Sequence, residues 1–219
     1  AREDIADLST YAVGSANIGG GTDGPEISLS GSALAGDFLY ITDVNANFNT
    51  FFGFDADFDA STTTNSFAVS VNGDDAIELF YDAAGFPADL GTYMGMPTVV
   101  DIFGDINVDG SGQPWEYLDG WVYRMDATGP DGSAFAIANW SFSGVDALDD
   151  ETSNSTAMTP FPVGTYSSMT GGGDMISLPI TFEESINYGL RAFEPGGVDG
   201  PTSTIIVAPT DATTMVVKT

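Results

Sequence analysis

The chain has 219 residues and carries 32 acids against four bases, Arg2, Arg124, Arg191 and Lys218, for a formal net charge of −28. Four dispersed cations build no basic stripe, so neither direct nucleic-acid binding nor attachment to an anionic lipid surface is expected. Histidine and cysteine are both absent, which removes Ser-His-Asp and Cys-His relays and the usual nitrogen- and sulfur-ligated zinc sites.

Hydrophobic residues make up 42% of the chain, enough for a folded core in spite of the charge. Glycine, proline, serine, threonine, asparagine and aspartate recur too densely for long helices. Short β-rich runs return instead at roughly 8–15 residue intervals, an all-β signature. Glu26–Gly31 (EISLSG) leads through SALAGD into Phe38–Asp43 (FLYITD). In Phe54–Asp59 the acids Asp55, Asp57 and Asp59 alternate with Phe54, Ala56 and Phe58, so an extended chain presents one acidic and one apolar side. That side is either a second cation site or a solvated face. Ser66–Asp82 (SFAVSVNGDDAIELFYD) places Asn72-Gly73 between two strand-like runs, which predicts a hairpin. Thr98–Phe103 (TVVDIF), Gly120–Met125 (GWVYRM) and Ser133–Phe142 (SAFAIANWSF) follow as further strands. Alternation puts Trp121 and Tyr123 on one face. Composition changes at Ser167. Residues 167–174 (SSMTGGGD) read as a linker, and residues 175–219 as a partial second β segment, ending in a hairpin of STIIVA and TMVVKT around PTDA. The second segment is small for an independent core without disulfides.

One motif carries chemistry. Asp105–Glu116 (DINVDGSGQPWE) has acid or amide side chains at its first, third and fifth positions, a glycine at the sixth and a glutamate at the twelfth. This is the ligand order of a calcium loop. Asp105, Asn107, Asp109 and Glu116 supply side-chain oxygens, Ser111 a carbonyl, and Gln113 a direct or water-bridged ligand. Calcium is a hard cation that takes about six to eight oxygens, and Gly110 is expected to make the sharp turn with positive φ. The flanking runs are strands, and Pro114 lacks the amide that an exiting helix needs. The expectation is therefore a β-loop-β calcium site, not an EF-hand, with Trp115 and Tyr117 packing the loop. Its alternative is a long acidic loop shaped by Asx turns that binds nothing.

Several ordered blocks resemble the bacterial lamin-tail domain. They are Asp7–Val13 (DLSTYAV), EISLSG with SALAGDFLYI behind it, Asn72–Gly85 (NGDDAIELFYDAAG), Val99–Arg124, ANWSFSGVDALDD and Thr159–Tyr166 (TPFPVGTY). The resemblance spans about Asp4 to Tyr166. It implies an immunoglobulin-like β-sandwich over residues 1–166, generally non-catalytic, found in large secreted or surface proteins that include extracellular nucleases. The chain departs from the pattern where the family's opening strand pair would stand, and in a longer Gly85–Pro97 stretch. LPITFEESINYGLRAFE and IIVAPTDATTMVVKT resemble the start of a β-sandwich module of marine bacterial surface proteins.

The missing opening strands imply an open sheet edge, filled either by a strand donated from a neighbouring chain or by Ala1–Leu8 folding back. No apolar stretch is long enough to span a bilayer, so membrane insertion is not expected. The functional expectation is a calcium-stabilised adhesion or structural module at the cell surface or outside the cell. Its partner would be polysaccharide or other surface material. The alternative is an accessory, substrate-holding module of an extracellular hydrolase such as a nuclease or glycosidase. Catalysis within the chain would need a carboxylate pair, with Glu116 and Asp119 or Glu78 and Asp82 as the nameable ones.

Overall fold

The computed structural model describes residues 1–62 and 67–168, together with two short strands at 176–178 and 215–217. The chain divides into two compact units, Ala1–Ser168 and Met169–Thr219. In the second, Ile176–Leu178 pairs antiparallel with Met215–Val217. MISLPITFEE and TMVVKT each contain one of these strands; the rest of both runs, STIIVA and the PTDA turn lie outside the described residues.

The first unit is all-β and mainly antiparallel. Its main sheet has the strand order β2-β1-β5-β6, with β1 at Tyr11–Ala16, β2 at Ile27–Ser28, β5 at Ala76–Tyr81 and β6 at Thr98–Phe103. Two small pairs accompany it. β3 (Ile41–Thr42) lies parallel to β4 (Phe58–Asp59), and β7 (Val122–Arg124) lies antiparallel to β8 (Trp140–Phe142). One α-helix, α1 (Asn45–Phe52), connects β3 to β4 and ends on Gly53 at φ 82°, a conformation that costs glycine little. Among the described residues no helix is long and apolar enough to cross a membrane.

Alternation along the strands commits both faces of the sheet to burial. On one face, Tyr11 and Val13 pack with Leu8, Ile27, Leu29 and Ala68. Ile77 and Phe103 are cross-strand partners on that same face, where Phe103 meets Trp115, Tyr117, Phe135 and Trp140 with ring centroids 5.0–5.8 Å apart. On the other face, Ala12 and Phe80 pack with Phe86. A β-bulge at Leu79/Phe80 shifts the register against β6.

The Asn72-Gly73 hairpin does not form. Residues 67–69 make a 3-10 turn, and Ala68 is buried in the core. β5 pairs instead with β1 over six positions, Tyr11↔Tyr81 through Ala16↔Ala76. Gly73 does turn the chain at φ 99°, so the local turn signal is real, but the partner strand comes from the distant N-terminal region.

That N-terminal segment also settles beside its own chain. Ile5 and Ala33 exchange both backbone hydrogen bonds, at 2.7 and 2.9 Å, and the Leu8 amide donates to the Gly31 carbonyl at 2.8 Å. Residues 1–8 thus run along 29–36, prolonging the β1–β2 edge.

Candidate functional site

The loop from Asp105 to Glu116 leaves β6 and returns against the turn that opens β5. Two backbone hydrogen bonds pin it there: the Gly110 amide to the Asp74 carbonyl at 2.9 Å, and the Tyr117 amide to the Gly73 carbonyl at 2.8 Å. Trp115, 5% exposed, seals the contact, with its ring against Gly104 and Gly110. Gly110 lies outside the positive-φ set, whereas Gly112 has φ 73°. This corrects the expected role of Gly110: a Cβ there would stand 2.5 Å from the Asp74 carbonyl oxygen and from the Trp115 ring. It is glycine because two surfaces close on it.

Within the loop the ligand-type side chains make local turns. Asp105 Oδ1 accepts from the Asn107 amide at 2.9 Å, and Asp109 Oδ1 accepts from the Ser111 amide at 2.9 Å. Both are Asx turns. Glu116 Oε2 reaches back to the Gly112 amide at 2.9 Å, while the Gln113 amide donates to the Gly110 carbonyl at 2.8 Å. Among the described residues no three acidic side chains converge as the cage of a metal ion does.

The fold does draw part of the loop toward acids that the motif did not include. Asp74 is held above the ordinary carboxylate range, first by burial and then by the charges of Asp75, Asp109 and Glu116. Asp75 is 5% exposed and its Oδ1 accepts from the Ile18 amide at 3.0 Å. Tyr117 is pushed up by burial and by the negative charges of Asp75 and Asp74. Asn72, with its amide turned so that nitrogen faces them, donates to Asp74 Oδ1 and to Asp75 Oδ2. Asp74, Asp75, Asp109 and Glu116 therefore share one region of negative potential. Sequence reading singled out Asp109 and Glu116 and gave Asp74 and Asp75 only a turn-capping role.

The two described arginines lie elsewhere. Arg124 is committed to Asp101 and Asp131, and Arg2 to the carbonyls of Gly129 and Ser168. Arg191 and Lys218 lie outside the described residues.

The acids at Asp55, Asp57 and Asp59 serve as local acceptors. Asp55 Oδ1 takes the side-chain amides of Asn45 and Asn49 at 3.2 and 2.8 Å. Asp57 Oδ2 takes the Tyr40 amide at 2.8 Å. Asp59 accepts from the amides of Asn45 and Ser61 and from the Ser61 hydroxyl, which holds its carboxyl below the ordinary range. Phe54 packs with Tyr40, Phe48 and Phe52. The three acids fasten the β3-α1-β4 connection.

All three tryptophans are partly or fully buried. Trp121 and Tyr123 both meet Phe161 edge-on, at 6.1 and 5.4 Å, and Trp121 Nε1 donates to the Thr159 carbonyl at 2.9 Å. The face they share is packed under residues 159–161. Of the carboxylate pairs, Glu78 is buried in β5 while Asp82 bonds the Tyr93 hydroxyl at 2.5 Å.

Comparison with protein-family models, with curated proteins and with solved structures returns no match for this chain.

Proposed function

We propose that this chain is a non-catalytic, calcium-stabilised structural module of a large secreted or cell-surface protein. In this reading its first unit is the immunoglobulin-like sandwich that the lamin-tail resemblance implies. Its work is attachment or spacing, with polysaccharide or other surface material as the partner. The observation that carries the reading is the anionic region where the pinned loop meets the start of β5: the loop is bonded there through Gly110 and Tyr117, burial and then the charges of Asp75, Asp109 and Glu116 raise the pKa of Asp74, and the described bases are engaged elsewhere. Like charges held together by the fold cost stability unless a cation neutralises them.

Calcium suits these groups because all are hard oxygens. Asp105 and Asp109 each use one carboxyl oxygen in an Asx turn, which leaves the other for an ion. Asn107, the Ser111 carbonyl, Gln113 and Glu116 complete the set that the motif names, and Asp74 adds a ligand from across the turn. When bound, the ion neutralises the acids and fixes the loop to the sheet. Among the described residues Trp121 and Tyr123 pack under Phe161 and so lend no support to the accessory sugar-binding alternative.

The test is thermal melting of the full chain with calcium and with chelator. At a free calcium concentration of about 100 times the dissociation constant, linkage gives about 2.7 kcal/mol. For a domain of this size that is an upward Tm shift of roughly 5–10 °C. Superimposable curves overturn the reading.

A further inference from the structure

Glu78 lies at the centre of the main sheet, on β5 between Gly14 of β1 and Ile102 of β6. It is 2% exposed. Its Oε2 receives no hydrogen bond. A carboxylate this deep requires a compensating charge or donor.

The chain from Asn17 to Gly24 covers the face on which Glu78 sits. Gly14, its neighbour on β1, is glycine because a Cβ there would overlap the Gly24 carbonyl. That carbonyl therefore stands over the sheet beside Glu78. The Glu78 pKa is raised, first by burial and also by the Asp23 charge, against a lowering from the Thr22 side chain. Asp23 itself is exposed.

Four amides of the covering chain are engaged away from Glu78, and the Gly24 carbonyl is turned toward the sheet. Ile18 donates to Asp75 Oδ1 at 3.0 Å. Gly20 donates to the Asn17 carbonyl at 3.0 Å and Gly21 to the Ile106 carbonyl at 2.7 Å. Gly24 donates to Thr22 Oγ1 at 3.1 Å, and Pro25 has no amide hydrogen. Asn17 Oδ1, at the start of this segment, is likewise buried without a donor. The far end is tied down by Glu26, whose Oε2 accepts from the Ser15 amide at 2.8 Å and its hydroxyl at 3.0 Å.

We infer that the space between Glu78 and the Asn17–Gly24 segment is a divalent-cation site, with Glu78 Oε2 as the inner ligand, the Asp23 carboxylate as the outer one and the Gly24 carbonyl adjoining. Calcium fits an all-oxygen set of mixed carboxylate and carbonyl character, with water filling the solvent side next to exposed Asp23. The site pins the segment to the sheet and neutralises a buried charge. It is separate from the Asp105–Glu116 loop and does not rest on that reading, although the Gly21–Ile106 hydrogen bond joins the two segments.

The experiment is calorimetric titration of the chelator-stripped full chain with calcium chloride at neutral pH. It compares the wild type with Glu78→Gln, Asp23→Asn and the double variant Asp109→Asn/Glu116→Gln. Glu78→Gln is expected to lose one equivalent of calcium. Asp23→Asn, altered only at an exposed side chain and so safe for folding, is expected to weaken that equivalent about tenfold or more. The double variant is expected to keep it. If Glu78→Gln and Asp23→Asn titrate like the wild type, or if the wild type takes up no calcium, the site does not exist. A Glu78 carboxyl still protonated under saturating calcium, by carbon-detected NMR, overturns the proposal too, because a proton then fills the ion's role. Loss of heat in the double variant alone supports the loop and rejects the Glu78 site. Loss in Glu78→Gln and Asp23→Asn alone does the reverse.

Discussion

Arg124 is the described base with the most to lose. Its Nη2 lies 2.5 Å from Asp101 Oδ1 and its Nη1 2.9 Å from Asp131 Oδ2, with side-chain exposures of 12%, 21% and 18% for the three residues. Its guanidinium sits 4.0 Å above the centre of the Trp140 ring. Consider Arg124→Met, which keeps most of the volume. Removing one partner of a buried ion pair costs about 3–5 kcal/mol, because the orphaned charge stays buried. A desolvated cation–π contact adds about 1–2 kcal/mol. Against this, the acids retain other donors: Asn139 Nδ2 reaches Asp131 at 2.9 Å, and the Asp131 amide reaches Asp101 at 3.0 Å. Residual exposure also screens the pair. The net expectation is a loss of about 3 kcal/mol, seen in urea as a midpoint lowered by about 1 M with unchanged slope. Arg124→Lys keeps the charge without the two-pronged geometry and should lose about half as much. The pH dependence has a definite sign. Burial alone raises the Asp131 pKa, but hydrogen bonds from Asn139 and Arg124 together with the Arg124 charge outweigh it and hold it below its ordinary value. A depressed carboxylate contributes stability above its unfolded pKa and loses it as pH falls through the folded value. The gap between wild type and Arg124→Met should therefore narrow below about pH 4. A loss under about 1 kcal/mol, or a gap that widens in acid, refutes the reasoning.

Trp115→Ala should cost about 3–5 kcal/mol and accelerate hydrogen exchange at the Gly110 and Tyr117 amides, since that ring holds the loop on the sheet. Gly110→Ala should cost about 1–3 kcal/mol in urea unfolding by overpacking, its Cβ meeting Asp74 and Trp115. Tyr93→Phe should raise the Asp82 titration midpoint by NMR. The Tyr93 hydroxyl, itself pushed up to about 12 by burial and then by Asp82, holds Asp82 below the ordinary range. Stability from Asp82 is present above the unfolded carboxylate value and lost on acidification, so the variant should begin losing it at higher pH. Asp74→Asn should raise Tm in chelator, by relieving repulsion from Asp75 and Asp109, and reduce the upward shift that calcium produces. A fall in chelator contradicts the electrostatic account of the loop.

The all-β character, the β6 run and the Asx turns at Asp105 and Asp109 were legible along the chain because each depends on near neighbours. Alternation with period two marks a strand locally, and an aspartate bonds the amide two residues on wherever the fold places it. The turn at Gly73 was legible for the same reason. What lay beyond local reading was partnership. Nothing in SFAVSVNGDDAIELFYD says that Ala76–Tyr81 will pair with Tyr11–Ala16 while Ala68 enters the core, because pairing energy is decided by cross-strand packing between residues far apart in sequence. The same holds for Gly110, whose need for glycine comes from Asp74 and Trp115 and not from its own φ. Glu78 is the clearest case. In AIELFY its position is indistinguishable from a solvent-facing one. Only β1 on one side, β6 on the other and the Asn17–Gly24 segment above bury the carboxylate and make it a demand that the fold must answer.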